Sequence, residues 1–108
     1  MSSNFCLAFF GLRYEVLPAE IEALENRSDF RMEASRKAGL KHYWANFSAP
    51  DRYLLFVGAQ LAILGPENQS EFSLSSTEIL SIIDTTKEKL QRAHLAGEPA
   101  IYFQWAQD

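Results

Sequence analysis

The stretch YLLFVGAQLAIL, from Tyr53 to Leu64, is twelve residues long and carries no charge. Apolar side chains stand at both odd and even positions along it, whereas a strand with one solvated face alternates apolar and polar residues. Hydrophobic periodicity alone does not distinguish such a run from a buried helix. Its aromatic and β-branched residues, together with Gly58 in the middle, favour a strand. We therefore predict a central strand with both faces covered, either within the chain or by a partner or ligand.

The composition is that of an ordinary globular protein, with 108 residues, 47% hydrophobic and 22% charged. It predicts a single domain over residues 1–108. The net charge of -4 argues against binding to nucleic acid or to an anionic membrane, because both attract a basic surface. Cys6 is the only cysteine, and the N-terminal residues lack the basic segment of a signal peptide. We therefore expect a reduced, cytoplasmic compartment.

Residue patterns predict the order strand, helix, strand, strand, helix, strand, over 4–16, 18–39, 41–47, 53–64, 75–94 and 100–105, with a turn over 48–52. The apolar stripe of the first helix weakens near Asn26. Asp29 is a suitable N-cap for a second helical piece, and Gly39 is suited to end it. We therefore expect the first helix to be broken. Ser75 and Glu78 have the spacing of a capping box, which marks the start of the second helix.

This order predicts an α+β fold of the ferredoxin-like split βαβ (βαββαβ) type, a four-stranded antiparallel sheet with helices on one face. In that arrangement the first and third strands are central, and the second and fourth are edges. The first and third strands are the ones with apolar residues on both faces, and the other two are shorter and more mixed. Local pattern and predicted position therefore agree.

Helices on one face leave the opposite face of the sheet open. By parity, six residues of the two central strands share that face: Phe5, Leu7, Phe9, Leu54, Phe56 and Gln60. Because a monomer rarely exposes an apolar patch larger than a few hundred Å², we take these residues as an interface. We expect a second copy of the chain to cover them, with another protein, a ligand and the C-terminal tail as alternatives.

Side chains of the edge strands suggest one possible pocket. His42 and Trp44 alternate along the second strand, and Tyr102 lies on the last strand. A histidine in such a cleft could act as an acid or a base. A hydrogen-bonded or surface histidine is the common alternative.

A second candidate is a basic segment on an acidic chain. Positive charge is in excess over 27–41, and the possible anion site consists of Arg27, Arg31 and Arg36. A solvated helix face is the more common explanation of the same charges. Two separated histidines, one cysteine and no spaced ligand set predict no metal site and no cofactor. The sequence also lacks a nucleophile elbow and a phosphate-binding glycine loop.

The sequence therefore favours a non-catalytic association module, acting as a homodimer or as a subunit through the open sheet face. The alternative is a small-ligand-binding protein or an enzyme of the dimeric α/β-barrel type, with a pocket between two sheets. That alternative rests on analogy of fold alone. The anion site is a third possibility.

Overall fold

The computed structural model describes residues 4–47 and 52–106 of the chain. These residues form a four-stranded antiparallel sheet and three α-helices, which is an α+β fold. The strands are β1 (Phe5–Glu15), β2 (Lys41–Asn46), β3 (Tyr53–Leu64) and β4 (Ala100–Ala106). The helices are α1 (Ile21–Glu25), which follows a 3₁₀ turn at Pro18–Glu20, α2 (Phe30–Ala38) and α3 (Ser76–Arg92). The predicted turn over 48–52 falls, apart from Arg52, outside the described residues.

The strand order is β2-β3-β1-β4, and every neighbouring pair is antiparallel. β1 and β3 are central, and β2 and β4 form the two edges. β3 has the bounds that the sequence predicted. Its central place follows from its composition, because a strand that is buried on both faces needs no polar alternation.

β1 and β3 approach each other closely where Gly11 faces Gly58. A Cβ atom on Gly11 would overlap the carbonyl oxygen of Val57, and one on Gly58 would overlap that of Phe10. Both glycines also have positive φ angles, 154° and 152°, which residues with a side chain disfavour. The centre of the sheet therefore requires glycine at both positions.

A β-bulge at Leu61 changes which side chains share a face. Phe9 pairs with Gln60 and Ala8 pairs with Ala62, so Leu61 has no partner on β1. Beyond the bulge, Ile63 pairs with Leu7 and lies on the face of Leu7. With strict alternation along β3, Ile63 would lie on the opposite face. The bulge shifts the alternation by one residue and brings Ile63 to the face of Leu7.

The helices cover one face of the sheet, which we call the helix face. The core there consists of Leu12, Val16, Leu24, Met32, Leu40, Leu55, Val57 and Leu90. The predicted break of the first helix is confirmed, since α1 ends at Glu25 and α2 begins after Asp29. The Asp29 side chain accepts a hydrogen bond from the Arg31 amide at 2.8 Å, and Gly39 ends α2 with a φ angle of 76°.

The opposite face, which we call the aromatic face, carries Phe5, Leu7, Phe9, Tyr43, Phe47, Leu54, Phe56 and Tyr102. Phe56 lies at its centre, with ring centroids of Phe9, Phe47 and Tyr102 at 5.4, 5.6 and 5.8 Å. Leu7, Phe9, Leu54 and Phe56 are fully buried within the single chain. The expectation that this face stays open is wrong for these four residues. Rings from the edge strands and from Phe47 pack against the side chains of the central strands. The residue pattern of a single strand does not predict such contacts between strands.

Candidate functional site

A row of apolar side chains on β4 is exposed in the single chain. Ile101, Phe103 and Trp105 are 40, 69 and 54% exposed. They pair with Phe10, Ala8 and Cys6 of β1, so the row lies on the helix face. α3 packs over β1 and β3, and the row on β4 extends beyond it. Sequence reasoning missed this row because it assumed that the helices cover all four strands.

The backbone of β4 adds to this surface. β4 is an edge strand, and its sequence AIYFQWA contains neither a charged residue nor a proline. Natural edge strands are usually protected from pairing by charge, proline, bulges or short length. β2, the other edge, begins at Lys41 and carries no comparable exposed row. β4 is therefore the unprotected edge of the described sheet.

The six residues of the predicted interface share the aromatic face, but they offer little surface. Leu7, Phe9, Leu54 and Phe56 are fully buried, and Phe5 is half-buried. Gln60 alone among the six is exposed. A second copy would therefore find few apolar atoms to cover there.

The three residues of the predicted pocket do not come together. His42 and Trp44 pair with Val57 and Leu55 and lie on the helix face. Tyr102 pairs with Phe9 and lies on the aromatic face, where the Arg13 guanidinium stands 4.7 Å from its ring centroid. The sheet itself separates Tyr102 from the other two residues.

Arg31, predicted to bind an anion, is instead a buried structural residue. Its guanidinium donates to both carboxylate oxygens of Asp29 at 3.0 Å and to Glu20 at 3.2 Å. It also stacks on Tyr14, with 4.9 Å to the ring centroid. Burial alone would raise the pKa of Asp29, but the hydrogen bonds from Arg31 bring that pKa below its ordinary value. Arg31 is 5% exposed and already paired with two carboxylates, which favours a structural role over ligand binding.

The other two arginines of that prediction do share a site. Arg27 and Arg36 line a pocket of about 550 Å³ together with His42 and Trp44. Leu24, Glu25, Met32 and Tyr43 complete its wall. Burial lowers the pKa of His42, and the positive charges of Arg36 and Arg27 lower it further. We call this the basic pocket; it combines residues that the sequence had assigned to two separate sites.

A second pocket, of about 400 Å³, lies between α2 and the end of α3 and includes Phe30, Lys37 and His94. Arg27 and His94 are the non-glycine residues with positive φ among those described, at 59° and 58°. Each stands just after a helix, and each lines a pocket. Residues with a side chain disfavour this conformation, so it is often found where function requires a particular side chain.

Other chemistry finds no support in the described part of the chain. Residues 4–47 and 52–106 hold no group of three or more His, Cys, Asp or Glu side chains placed to bind a metal. Cys6 is half-buried, and burial raises the pKa of its thiol, which opposes activation as a nucleophile. None of the helices described is both long and apolar enough to cross a membrane.

Comparisons with models of protein families, with curated proteins and with solved structures gave no significant match.

Proposed function

We propose that this chain works by association and that two copies join through β4. The observation that carries the proposal is the exposed row of Ile101, Phe103 and Trp105 on an unprotected edge strand. This proposal keeps the association that the sequence favoured. It places the contact between copies at the edge of the sheet and not on the aromatic face.

We also propose that the fold is of the ferredoxin-like split βαβ type. A ferredoxin-like split βαβ arrangement has its first and third strands in the centre and its helices on one face. The strand order β2-β3-β1-β4 and the helix face described above support it. Such a sheet has two edges, and adding strands across an edge is a common way for sheets to associate.

Antiparallel pairing of two β4 strands about a two-fold axis makes the row self-complementary. With the axis near Phe103, that residue lies beside its own copy, and Ile101 lies beside Trp105 of the second copy. An axis normal to the sheet keeps both rows on the helix face, so that six apolar side chains form one continuous stripe. The two strands also satisfy each other's free amides and carbonyls.

The available area suits a dimer of modest affinity. A buried aromatic side chain contributes about 150 to 250 Å², so the exposed fractions set an upper limit of roughly 350 Å² on the area that the row in each copy can bury. Two rows and the paired backbones together approach the roughly 1,000 Å² that a specific interface needs. The aromatic face offers much less, because its central residues are already buried.

The test is the solution mass, measured by light scattering over a range of protein concentrations. We expect the parent to be a dimer and Phe103→Glu to be a monomer, because two carboxylates would meet near the axis without partners. Phe30→Glu is the matched control. Phe30 is 68% exposed against 69% for Phe103, and it lies in the first turn of α2, where a carboxylate suits the helix dipole.

A dimeric Phe30→Glu variant beside a monomeric Phe103→Glu variant would support pairing through β4. A parent that stays monomeric at all concentrations would overturn the proposal. If both variants were monomers, the copies would be separated by the added negative charge itself and not by its position on β4.

The dimeric α/β-barrel alternative gains no support from this geometry. It requires two open sheet faces that enclose a pocket, and Phe9 and Phe56 already fill the aromatic face. His42, its candidate acid or base, lies on the other side of the sheet. We therefore propose association without catalysis.

A further inference from the structure

The basic pocket brings together two arginines and a histidine that pair with no acid among the described residues. Among the described residues, the side chains of Arg27, Arg36 and His42 make no ion pair or hydrogen bond with one another or with any neighbour. Their neighbour Arg31 is engaged with two carboxylates, so those acids do not serve the pocket. Within residues 4–47 and 52–106, Glu25 is the one acidic residue that lines the pocket.

We propose that the basic pocket binds an organic phosphate monoester, with Arg27, Arg36 and His42 around the phosphate and Trp44 beside the organic group. Guanidinium groups match the geometry of phosphate oxygens and form strong, charge-assisted hydrogen bonds with them. Half-buried Trp44, which lies over the buried side chains of Leu24 and Met32, supplies the apolar wall that an inorganic ion would not use. A volume of about 550 Å³ is within the usual range for small-ligand sites.

The positive charges of Arg36 and Arg27 close to His42 support this proposal. Arg27 comes from the segment after α1, Arg36 from the last turn of α2 and His42 from β2. Three separate parts of the chain thus place basic residues along one pocket, with Arg27 and Arg36 exposed and His42 half-buried. A phosphate dianion in that pocket attracts these positive charges, and it favours the charged form of His42.

The backbone at Arg27 is a second, independent observation. The amide of Arg27 bonds to the carbonyl oxygen of Leu24, and that of Ser28 bonds to Ala23. This is the helix ending in which glycine normally occupies the left-handed position. Here Arg27 occupies it with a φ angle of 59°, although a left-handed conformation is unfavourable for a residue with a Cβ. Gly39 takes the corresponding position after α2, so the chain does use glycine where no side chain is needed.

The test is titration of the full chain with phenyl phosphate, followed by calorimetry and by the NMR signals of His42. We expect saturable binding at one site, weakened about tenfold or more by Arg36→Gln, since each lost charge-assisted contact is worth at least that factor. Arg27→Gly should weaken binding to a similar extent while it stabilises the fold. Lys37→Gln is the matched control, because it removes the same charge from the next residue of α2, which lines the other pocket.

Further readouts separate a specific site from a basic surface. Saturating phenyl phosphate should raise the pKa of His42, and benzenesulfonate, whose charge is constant with pH, should bind more tightly as pH falls through that pKa. Glu25, Arg27, Arg36 and Tyr43 are the other titratable or charged groups of the pocket wall. Equal weakening by Arg36→Gln and Lys37→Gln, or inorganic phosphate binding as tightly as phenyl phosphate, would overturn the proposal, as would no binding by the parent.

We expect the binding of phenyl phosphate to the basic pocket to be independent of the β4 dimer. Phe103→Glu changes the opposite edge of the sheet and should bind phenyl phosphate as the parent does. Loss of phenyl phosphate binding in Phe103→Glu would show that the pocket depends on the dimer, which would contradict this expectation.

Discussion

Arg31 shows how one side chain connects three parts of the chain. It pairs with Asp29 before α2 and with Glu20 before α1, and it stacks on Tyr14 of β1. Removal of one partner from a buried ion pair leaves the other charge without compensation, which is much more destabilising than loss of an exposed pair.

We therefore expect Arg31→Leu to lower the free energy of unfolding by about 3 kcal/mol, as measured by urea denaturation. Arg92→Ala is the control, since Arg92 pairs with Glu88 at 3.6 Å with both side chains exposed. That pair should contribute less than about 0.5 kcal/mol. Similar losses from both variants would show that the Arg31 cluster is not a buried network.

His42 makes stability depend on pH in a definite direction. Burial, Arg36 and Arg27 lower its pKa in the folded chain below the ordinary value of 6.5, while the unfolded chain keeps that value. The unfolded state therefore takes up the proton first, and stability falls as pH drops below about 6.5 towards the folded-state pKa.

We expect His42→Gln to reduce this loss of stability between pH 7 and about pH 5 in urea denaturation. His94→Gln, which changes the other histidine, is the comparison variant. An unchanged slope in His42→Gln would contradict the lowered pKa of His42.

At the scale of the elements, the contact between β1 and β3 is the least tolerant of change. Gly11 and Gly58 face each other, and a Cβ atom on either would overlap backbone of the opposite strand. Backbone cannot move aside as a flexible side chain does.

We expect Gly58→Ala to destabilise the chain by about 3 kcal/mol or more, combining steric overlap with an unfavourable φ angle. Gly39→Ala is the comparison, because a Cβ there meets only the end of the Lys89 side chain and should cause a loss of about 1 kcal/mol from its left-handed backbone. Thermal unfolding of both variants would check this order. Equal losses would mean that the central strands can separate to admit a methyl group.

Several elements could be predicted from sequence because each carried a local signal. Two-sided apolarity located β3, and Asp29 and Gly39 marked the ends of α2. The capping box before α3 is present, with the Glu78 amide bonded to the Ser75 hydroxyl at 3.1 Å. These signals lie within a few residues of one another, so tertiary structure does not override them.

The features that sequence reasoning missed depend on distances between elements. The bulge at Leu61 leaves no mark in an apolar run, yet it moves Ile63 to the other face. The ring packing around Phe56 and the exposure of Phe103 depend on where neighbouring strands and α3 lie. The candidate sites differed from their predictions for this reason, since burial decides which side chains can meet a partner.

At the scale of the whole molecule, the two faces of the sheet are closed by different means. Helices cover one face, and the aromatic side chains of the sheet itself contribute to the closure of the other. Apolar surface then remains at the β4 edge, on a chain whose net charge of -4 opposes close approach of copies only weakly at physiological salt. The edge, with its row and free backbone, is therefore where we propose that copies meet.

If two copies share one sheet, unfolding and dissociation are coupled, and stability depends on protein concentration. We expect the midpoint of thermal unfolding of the parent to rise by about 3 °C for each tenfold increase in concentration. Phe103→Glu should unfold at a midpoint that does not change with concentration, because its copies are already separate. Phe30→Glu should retain the dependence of the parent, since Phe30 lies away from β4 on α2. Calorimetric scans of the three proteins at matched concentrations would measure this, and a parent midpoint that is constant with concentration would contradict a dimer that stabilises the fold.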